Sequence, residues 1–517
     1  MKLHITEPYL WFPVDNKNPE VKLHFYVNDE KFQEADIKLG EAGCGLYFSM
    51  DVSKYLGQEI EIKSDAEEEL FHIFCCKEKA QHVYPFRPKL HFAPEYGWMN
   101  DPNGLVYADG VYHLFYQWNP YGVTWGNMHW GHAVSKDLIT WEHKPAALFP
   151  DEYGTMFSGS GFFDKKNAAG YGKDALLFFY TSAGGTNQWS LDAGNKHVQR
   201  LAVSVDNCRT LEKKETVLEH IAGGNRDPKV FYHSKSNAYI LVLYLDESEF
   251  AIFRSSDLRH WEESQRFSVE GMWECPDLFE LPVENADGET KWVFWSADGY
   301  YVVGAFDGYQ FAAESARQSA YSTKLPYAAQ TYSGVEDRVI SVAWLRTESN
   351  QGGFRSIMAC PAELSLVKTK EAYKLKFRPV KELEQYKKPQ DIHCFGGKEL
   401  EVPLCDTAAE LCLNWKQQST GQTRITAGEV SACVDFEAGT LTIENKQRYE
   451  EAFVISFNRE KAVQLKILID CGIMEFFGND GTLYAAVEAE ENVLKKKVVV
   501  DSVAELQSVS FSKIITA

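Results

Sequence analysis

The sequence predicts an all-β chain in three parts: a small N-terminal β-domain over residues 1–85, a five-bladed β-propeller over 86–365 and a C-terminal β-sandwich over 366–517. Three observations lead there. Short β-branched or aromatic segments bounded by turn residues dominate, among them VYHLFYQW, ALLFFYTS, AYILVLYL and KWVFWSAD, while long helical periodicity is scarce. A turn repeats: SKDLITWEH at Ser135–His143 returns as SSDLRHWEES at Ser255–Ser264, with a fainter SVDNCRTLEKK from Ser204, and each copy follows two apolar strands. A recurring unit of several strands is the mark of propeller blades. Finally, five segments open such units: NDPNGLVY at Asn100, FSGSGFFD at Phe157, NRDPKVFY at Asn225, ECPDLFEL at Glu274 and YAAQTYSG at Tyr327.

The flanks lack this repeat. VKLHFYVND and CGLYFSMDVSKYLGQEIEIK alternate like a small antiparallel sandwich, and TLTIENKQRYEEAFVISF and QLKILIDCGIMEFFGNDGTLYAAVEA do the same near the C-terminus, with Asn479-Asp480-Gly481 as a hairpin turn. The runs Glu67–Glu69 and Lys495–Lys497 are expected to be solvated faces.

A chain of 517 residues exceeds what one core usually supports, in keeping with several domains. Its 53 basic and 74 acidic residues give a net charge of -21, which repels phosphate backbones and anionic lipid, so neither nucleic acid nor membrane is expected as a partner. The N-terminus shows no apolar run of signal-peptide length, so the expectation is a cytoplasmic protein, or a secreted one whose leader has been removed. The eleven cysteines are scattered, with Cys75 and Cys76 adjacent and no C-x-x-C pair, which indicates neither a disulfide framework nor a zinc site. No cofactor and no metal are expected; oligomeric state is not legible.

Three of the blade starts carry a carboxylate close before a proline: Asp101-Pro102, Asp227-Pro228 and Glu274-Cys275-Pro276. A residue before proline is pushed toward extended geometry, so Asp101 and Asp227 are expected to run in the strand direction. Innermost propeller strands line the central channel, so carboxylates from three blades would converge at one mouth. Converging carboxylates in an aromatic-lined concavity suit glycoside hydrolysis, which needs one as nucleophile or base and one as acid. Trp98, Trp125, Phe157 and Trp273 offer flat faces to a sugar ring, and Asn100, Gln117, Ser158 and Arg226 offer hydrogen-bond donors. Taken singly, each aromatic fits core packing equally well.

WMNDPNG (Trp98 to Gly104), FSGS (Phe157 to Ser160), RDP (Arg226 to Pro228) and WECPDLF (Trp273 to Phe279), in that order, resemble the signature motifs of glycoside hydrolase family 32, the β-fructofuranosidases, invertases, inulinases and levanases. HWGHAVSKDLITWEH and DCGIMEFFGNDG extend the resemblance over about residues 87 to 517. It implies a propeller followed by a sandwich, and a retaining double displacement on fructose-containing oligo- or polysaccharides. Carried over, Asp101 would be the nucleophile, Glu274 the acid and then base, and Asp227 the stabiliser of the transition state. Sugar contacts would come from Asn100, Gln117, Trp125, Phe157, Ser158, Arg226 and Trp344. In that arrangement like-charge repulsion would keep Glu274 protonated, and Arg226 would keep Asp227 ionised.

Two departures stand out. Relatives commonly carry an acid just before the Tyr-Ala pair, where this chain has Leu325-Pro326-Tyr327-Ala328, which weakens a pure invertase reading. Ala362 replaces a usual arginine, a change expected to affect packing more than chemistry. The alternatives to an exo-acting fructosidase are a fructosyltransferase using the same site, a sugar-binding propeller without chemistry, and an inverting glycosidase of a neighbouring five-bladed family. The first 85 residues lie outside the plain invertase pattern; a carbohydrate-binding, channel-shaping or oligomer-contact role is open to them, a structural one being favoured.

Overall fold

The computed structural model describes residues 1–64, 72–82, 84–348, 353–390, 399–458 and 463–516; the Glu67–Glu69 run lies outside them, and Lys495–Lys497 is exposed. Five sheets follow one another as the blades of a propeller, antiparallel except where Phe354–Arg355 adds a short parallel strand to the first. Their innermost strands are Gly97–Ala108, Thr155–Asp164, Arg226–His233, Asp277–Pro282 and Pro326–Thr331, and each begins at or beside one of the five repeated segments. The outermost strand of blade V is Tyr373–Pro379, so this blade runs past residue 365.

The repeated turn has a side-chain cause. In blade I, Ser135 Oγ accepts the N–H of Leu138 at 2.7 Å, while Asp137 Oδ1 accepts those of Ile139 and Thr140. In blade III, Ser255 and Asp257 repeat each bond with Leu258, Arg259 and His260. Blade II has the same serine and aspartate, but two successive residues, Asn207 and Cys208, take the left-handed backbone where blades I and III need only a leucine, which is why its copy is faint in sequence. These turns join the third to the fourth strand and hold the blade edges together with polar atoms, where little apolar surface is left to bury.

Near the axis the blades are stitched by specific bonds. Tyr107 N–H donates to Ser333 O and Ser333 N–H to Leu105 O, joining blades I and V. Ser160 Oγ donates to Pro228 O and accepts Val230 N–H, joining II and III. A buried ion pair, Lys229 with Asp277 at 2.9 Å, is completed by Thr331, so that III, IV and V share one polar node. Blades I and II approach so closely that a Cβ on Gly161 would stand 2.6 Å from Gly104 O, and Gly104 itself has φ +56. Glycine at both positions is a packing requirement.

The N-terminal module has one sheet ordered Lys2–His4, Glu59–Ser64, Val21–Val27, Glu30–Ile37 and a second ordered Tyr47–Asp51, Tyr9–Pro13, Phe74–Cys76. Two six-stranded sheets form the C-terminal sandwich, in which the Asn479–Gly481 turn joins Ile473–Gly478 to Leu483–Glu488 with positive φ throughout, the twist a tight hairpin needs. Among the described residues the cysteines are free thiols.

Propeller and sandwich are locked by His91, whose side chain is wholly buried. Its Nδ1 meets Asp470 Oδ2 at 2.9 Å and its Nε2 meets Glu475 Oε2 at 2.7 Å. Burial alone would lower its pKa; Glu475 and Asp470 reverse that and hold it up at about 9. His91→Gln would leave two buried carboxylates without their cation, so a loss of about 3 kcal/mol or more is expected. A folded-state pKa above the usual histidine value means the contribution is complete below about 6.5 and is lost as pH rises through about 9. The gap in unfolding temperature between wild type and His91→Gln should therefore narrow between pH 6 and 10; a constant gap would show that the imidazolium is not the stabilising form.

Candidate active site

Four innermost strands carry the same irregularity at the same end. Between Met99 and Pro102, Met156 and Gly159, Arg226 and Lys229, and Tyr327 and Gln330, the strand inserts one more residue than its neighbour. A β-bulge of this kind re-aims side chains. Here the four bulges hold Asn100 and Asp101, Phe157 and Ser158, Asp227, and Ala328, and so turn these residues toward one mouth of the channel. In blade IV the equivalent segment precedes the strand: Glu274 and Cys275 have φ of 35 and 46 before pairing starts at Asp277.

Asp227 is not extended, as its proline neighbour suggested, but left-handed, with φ 66. Tertiary bonds override the local preference. Its N–H donates to Thr181 Oγ1, which donates to Gln199 Oε1, and Gln199 in turn donates to Asn225 O. Glu274 is anchored comparably: its carbonyl accepts Ala297 N–H, while Ala297 O accepts the N–H of Ala328. A small apolar plug of Cys275, Ala297, Tyr327 and Ala328 lies behind it.

The side chains form one network. Ser158 Oγ donates to Asp101 Oδ2 at 2.6 Å. With its amide oriented to satisfy its neighbours, Asn103 donates to Ser158 Oγ and accepts from Gln117 Nε2 at 3.3 Å, so Gln117 acts on Asp101 through two intermediaries. Asn100 donates to Asp101 Oδ1 over a longer 3.3 Å. The Cys275 thiol is 3.5 Å from Asp101 Oδ2 and 3.4 Å from Asp227 Oδ2, and Cys275 N–H donates to the latter at 2.9 Å. Burial and the nearby Asp227 keep this thiol protonated, as a donor between two acids.

Arg226 serves two acids. Its guanidinium reaches Glu274 Oε2 at 2.8 Å but Asp227 only at 3.8 Å. It still lies close enough to Asp227 to pull that carboxyl down against the upward push of burial. Tyr327, which the sequence did not single out as a site residue, donates its hydroxyl to the other oxygen of Glu274. Trp344 stands edge-on to Tyr327 and to Trp98, each ring centre 6.0 Å away. Trp125, 55% exposed, meets Phe157 edge-on, and Phe157 meets His197. On the far side, exposed Trp273 donates its indole N–H to Asp298, an acid near Glu274 that no motif marked. All ten residues expected at the site thus lie in one connected assembly, together with Asn103, Cys275, Tyr327 and Asp298.

Three carboxyls, of which Arg226 pairs with two, leave a surplus of negative charge. Burial, then the charge of Asp227, pushes Asp101 up to about 7. Burial, offset by Arg226 and reinforced by Glu274, lifts Asp227 to about 6. Burial first, and crowded charge with it, thus holds both aspartates above the usual carboxylate range. Among the described residues no group of three or more His, Cys, Asp or Glu is arranged to hold a metal ion. A groove of about 1040 Å³ at the outer edge of blades I and II, lined by Trp141, Lys144 and Arg209, contains none of the site residues.

A raised carboxyl favours folding only while protonated. Its contribution is present below the ordinary value of 3.8 and is lost as pH rises through about 7. Asp101→Asn keeps an acceptor for Ser158 but carries no charge. It should match wild type in unfolding temperature near pH 4, exceed it increasingly as pH rises, and level off above pH 7. A variant equally or less stable than wild type at pH 8 would refute the charge crowding.

The sequence matches the glycosyl hydrolases family 32 N-terminal domain over residues 91–379, more than half of the chain. It is 34% identical over 452 residues to the levanase of Bacillus subtilis (strain 168), covering 77% of this chain and 65% of the levanase, and 34% identical to an extracellular exo-inulinase of Aspergillus ficuum, covering 54% and 62%. The chain therefore spans somewhat less than two thirds of the length of these relatives. Among solved structures it is similar to an exo-inulinase from Aspergillus awamori, with a TM-score of 0.74, 25% identity and coverage of 84% of this chain and 100% of the other. A fructofuranosidase variant from Schwanniomyces occidentalis complexed with fructosylnystose gives 0.71 at 25% identity, covering 85% and 99%.

Proposed function

Since the chain belongs to glycosyl hydrolase family 32, we propose that it is a retaining β-fructosidase that removes terminal fructose from fructans of the levan or inulin type and from sucrose. The observation carrying this reading is the cluster itself: Asp101, Asp227 and Glu274 presented from three blades, with the Cys275 thiol between the first two and the Arg226 guanidinium between the last two. A levanase, exo-inulinases and an invertase among the relatives support the substrate class.

The geometry suggests a division of roles. Ser158 and the Cys275 thiol crowd onto Oδ2 of Asp101, leaving Oδ1 with only the long bond from Asn100. Oδ1 is the oxygen to attack the anomeric carbon and form the fructosyl-enzyme. Glu274 protonates the departing oxygen; as its charge develops, Arg226 and Tyr327 already hold one carboxylate oxygen each. In the second step the same carboxylate takes a proton from the attacking water. Asp227, fixed by its left-handed backbone and by Cys275 N–H, sits where it can bind ring hydroxyls and stabilise positive charge on the sugar. The cluster needs its aspartates ionised, so kcat/KM of the free enzyme should fall as pH drops below the range of about 6–7 set by Asp227 and Asp101. Trp273 holds Asp298 close to Glu274, which puts a further acid beside the proton donor.

The test is a product profile from sucrose, inulin-type oligosaccharides and levan. Fructose released one unit at a time is expected; longer products would mean transfer, and no products from any of them would leave a binding protein. Asp101→Asn and Glu274→Gln should each lower kcat by about 10³-fold or more in a folded protein. With an activated leaving group that needs no proton, Glu274→Gln should recover much of its loss, whereas an equal deficit on both substrate types would remove it as the acid.

A further inference from the structure

The match to family 32 begins at residue 91, which leaves the N-terminal module outside it. One strand of that module, Glu30–Ile37, lies at the edge of its sheet and faces the propeller. Two propeller loops meet it. One joins Val111–Asn119 to His129–Ser135 in blade I; the other joins Ala175–Ala183 to Val198–Ser204 in blade II. Both leave the blades at the mouth of the site, because Asn119 pairs with Trp98 and Ala183 with Thr155, beside the bulges that carry Asp101 and Phe157.

The bonds are specific. Asn127, in the first loop, uses its amide as a strand would: Oδ1 accepts Asp36 N–H at 2.7 Å and Nδ2 donates to Asp36 O at 2.8 Å. The same amide nitrogen donates to Asn119 Oδ1 at 3.2 Å, and Asn119 in turn holds Thr124 O and Tyr121 N–H, so the loop is tied inside as well as out. Glu34, buried and paired with His24 and Lys31, accepts Trp189 N–H of the second loop at 2.9 Å. Gln33 meets His129 at 3.2 Å. Three of four consecutive residues in one edge strand therefore grip two loops. Those loops supply Trp125 and His197, which flank Phe157 in a row along the rim.

We infer that the edge strand Glu30–Ile37 is a positioning element that clasps the Trp125 and His197 loops and thereby sets affinity for the sugar units beyond the terminal fructose. This rests on the fructosidase reading for its substrate, but the clasp itself does not. Asn127→Gly removes both bonds to Asp36 without strain, since Asn127 has φ 46. Glu34→Gln keeps an acceptor for Trp189 and serves as the conservative control for Glu34→Ala.

Hydrogen exchange is measured first. Residues 119–129 should exchange faster in Asn127→Gly, and 183–198 in Glu34→Ala, with Glu34→Gln close to wild type; unchanged protection in the folded variants overturns the clasp whatever the substrate is. Kinetics follow on sucrose and on an inulin-type chain of several fructose units. Asn127→Gly should raise KM for the longer chain about fivefold, with kcat within about twofold and a smaller change in the sucrose KM. Equal changes for both substrates, or a fall in kcat at constant KM, overturn the role in chain affinity. A wild type that releases fructose from nothing would sink the fructosidase reading, while exchange would still judge the clasp.

Discussion

The constraint on which this molecule turns is the crowding of three carboxyls, linked by one thiol and one guanidinium, at the end of a channel. Separate anions would relax apart, so they must be held by the backbone. The fold does this by interrupting its own strands: one inserted residue in each of four blades, and a left-handed Glu274-Cys275 step in the remaining one. Left-handed geometry at Glu274, Cys275 and Ala328 costs on the order of 1–3 kcal/mol per residue and persists only where the surroundings over-determine it. They do so here. Ala297 N–H holds the Glu274 carbonyl and its own carbonyl holds Ala328 N–H, and Thr181 with Gln199 fixes Asp227 from behind.

The large blade cores and the stitches between inner strands make that strain tolerable. Lys229, Asp277 and Thr331 link three blades at one buried node, and the node lies on strands that also carry Asp227 and follow Glu274. A shift of one blade relative to its neighbours would therefore disturb the carboxyls and this ion pair together. Breaking a buried pair by removing one partner is costly, so the stitch resists the motion that the crowded charge would otherwise drive.

Much of this was legible in the sequence, and what was not has identifiable reasons. The blades could be read because their turns are encoded by side chains, a serine and an aspartate at fixed spacing, and because strand alternation is local. The bulges were hidden: an inserted residue shows only against its partner strand, and Asn100-Asp101, Phe157-Ser158 and Ala328-Ala329 share no residue type. For Asp227 the rule for residues before proline gave the wrong backbone, since the bond to Thr181, from another blade, decides it. The pairing of Arg226 with Glu274 was hidden for a similar reason, because it depends on how two blades meet. Tyr327 and Asp298 carried no motif of their own, although Tyr327 heads the fifth blade start. The last strand of blade V, YKLKFRP, alternates like a sandwich strand, which is why composition does not mark the propeller's end.

Seen this way, the N-terminal module answers a need of the site and of itself. A propeller fixes the ends of its strands, but the loops that rise beyond them have little core to pack on, and binding residues there are only as well placed as their support. An edge strand has the opposite difficulty, a row of backbone donors and acceptors that invites pairing with another chain. Asn127 meets both at once by presenting an amide to the backbone of Asp36, and Glu34 does the same for the second loop through Trp189. Because both loops hang from one strand, Trp125 and His197 are placed relative to each other as well as to Asp101.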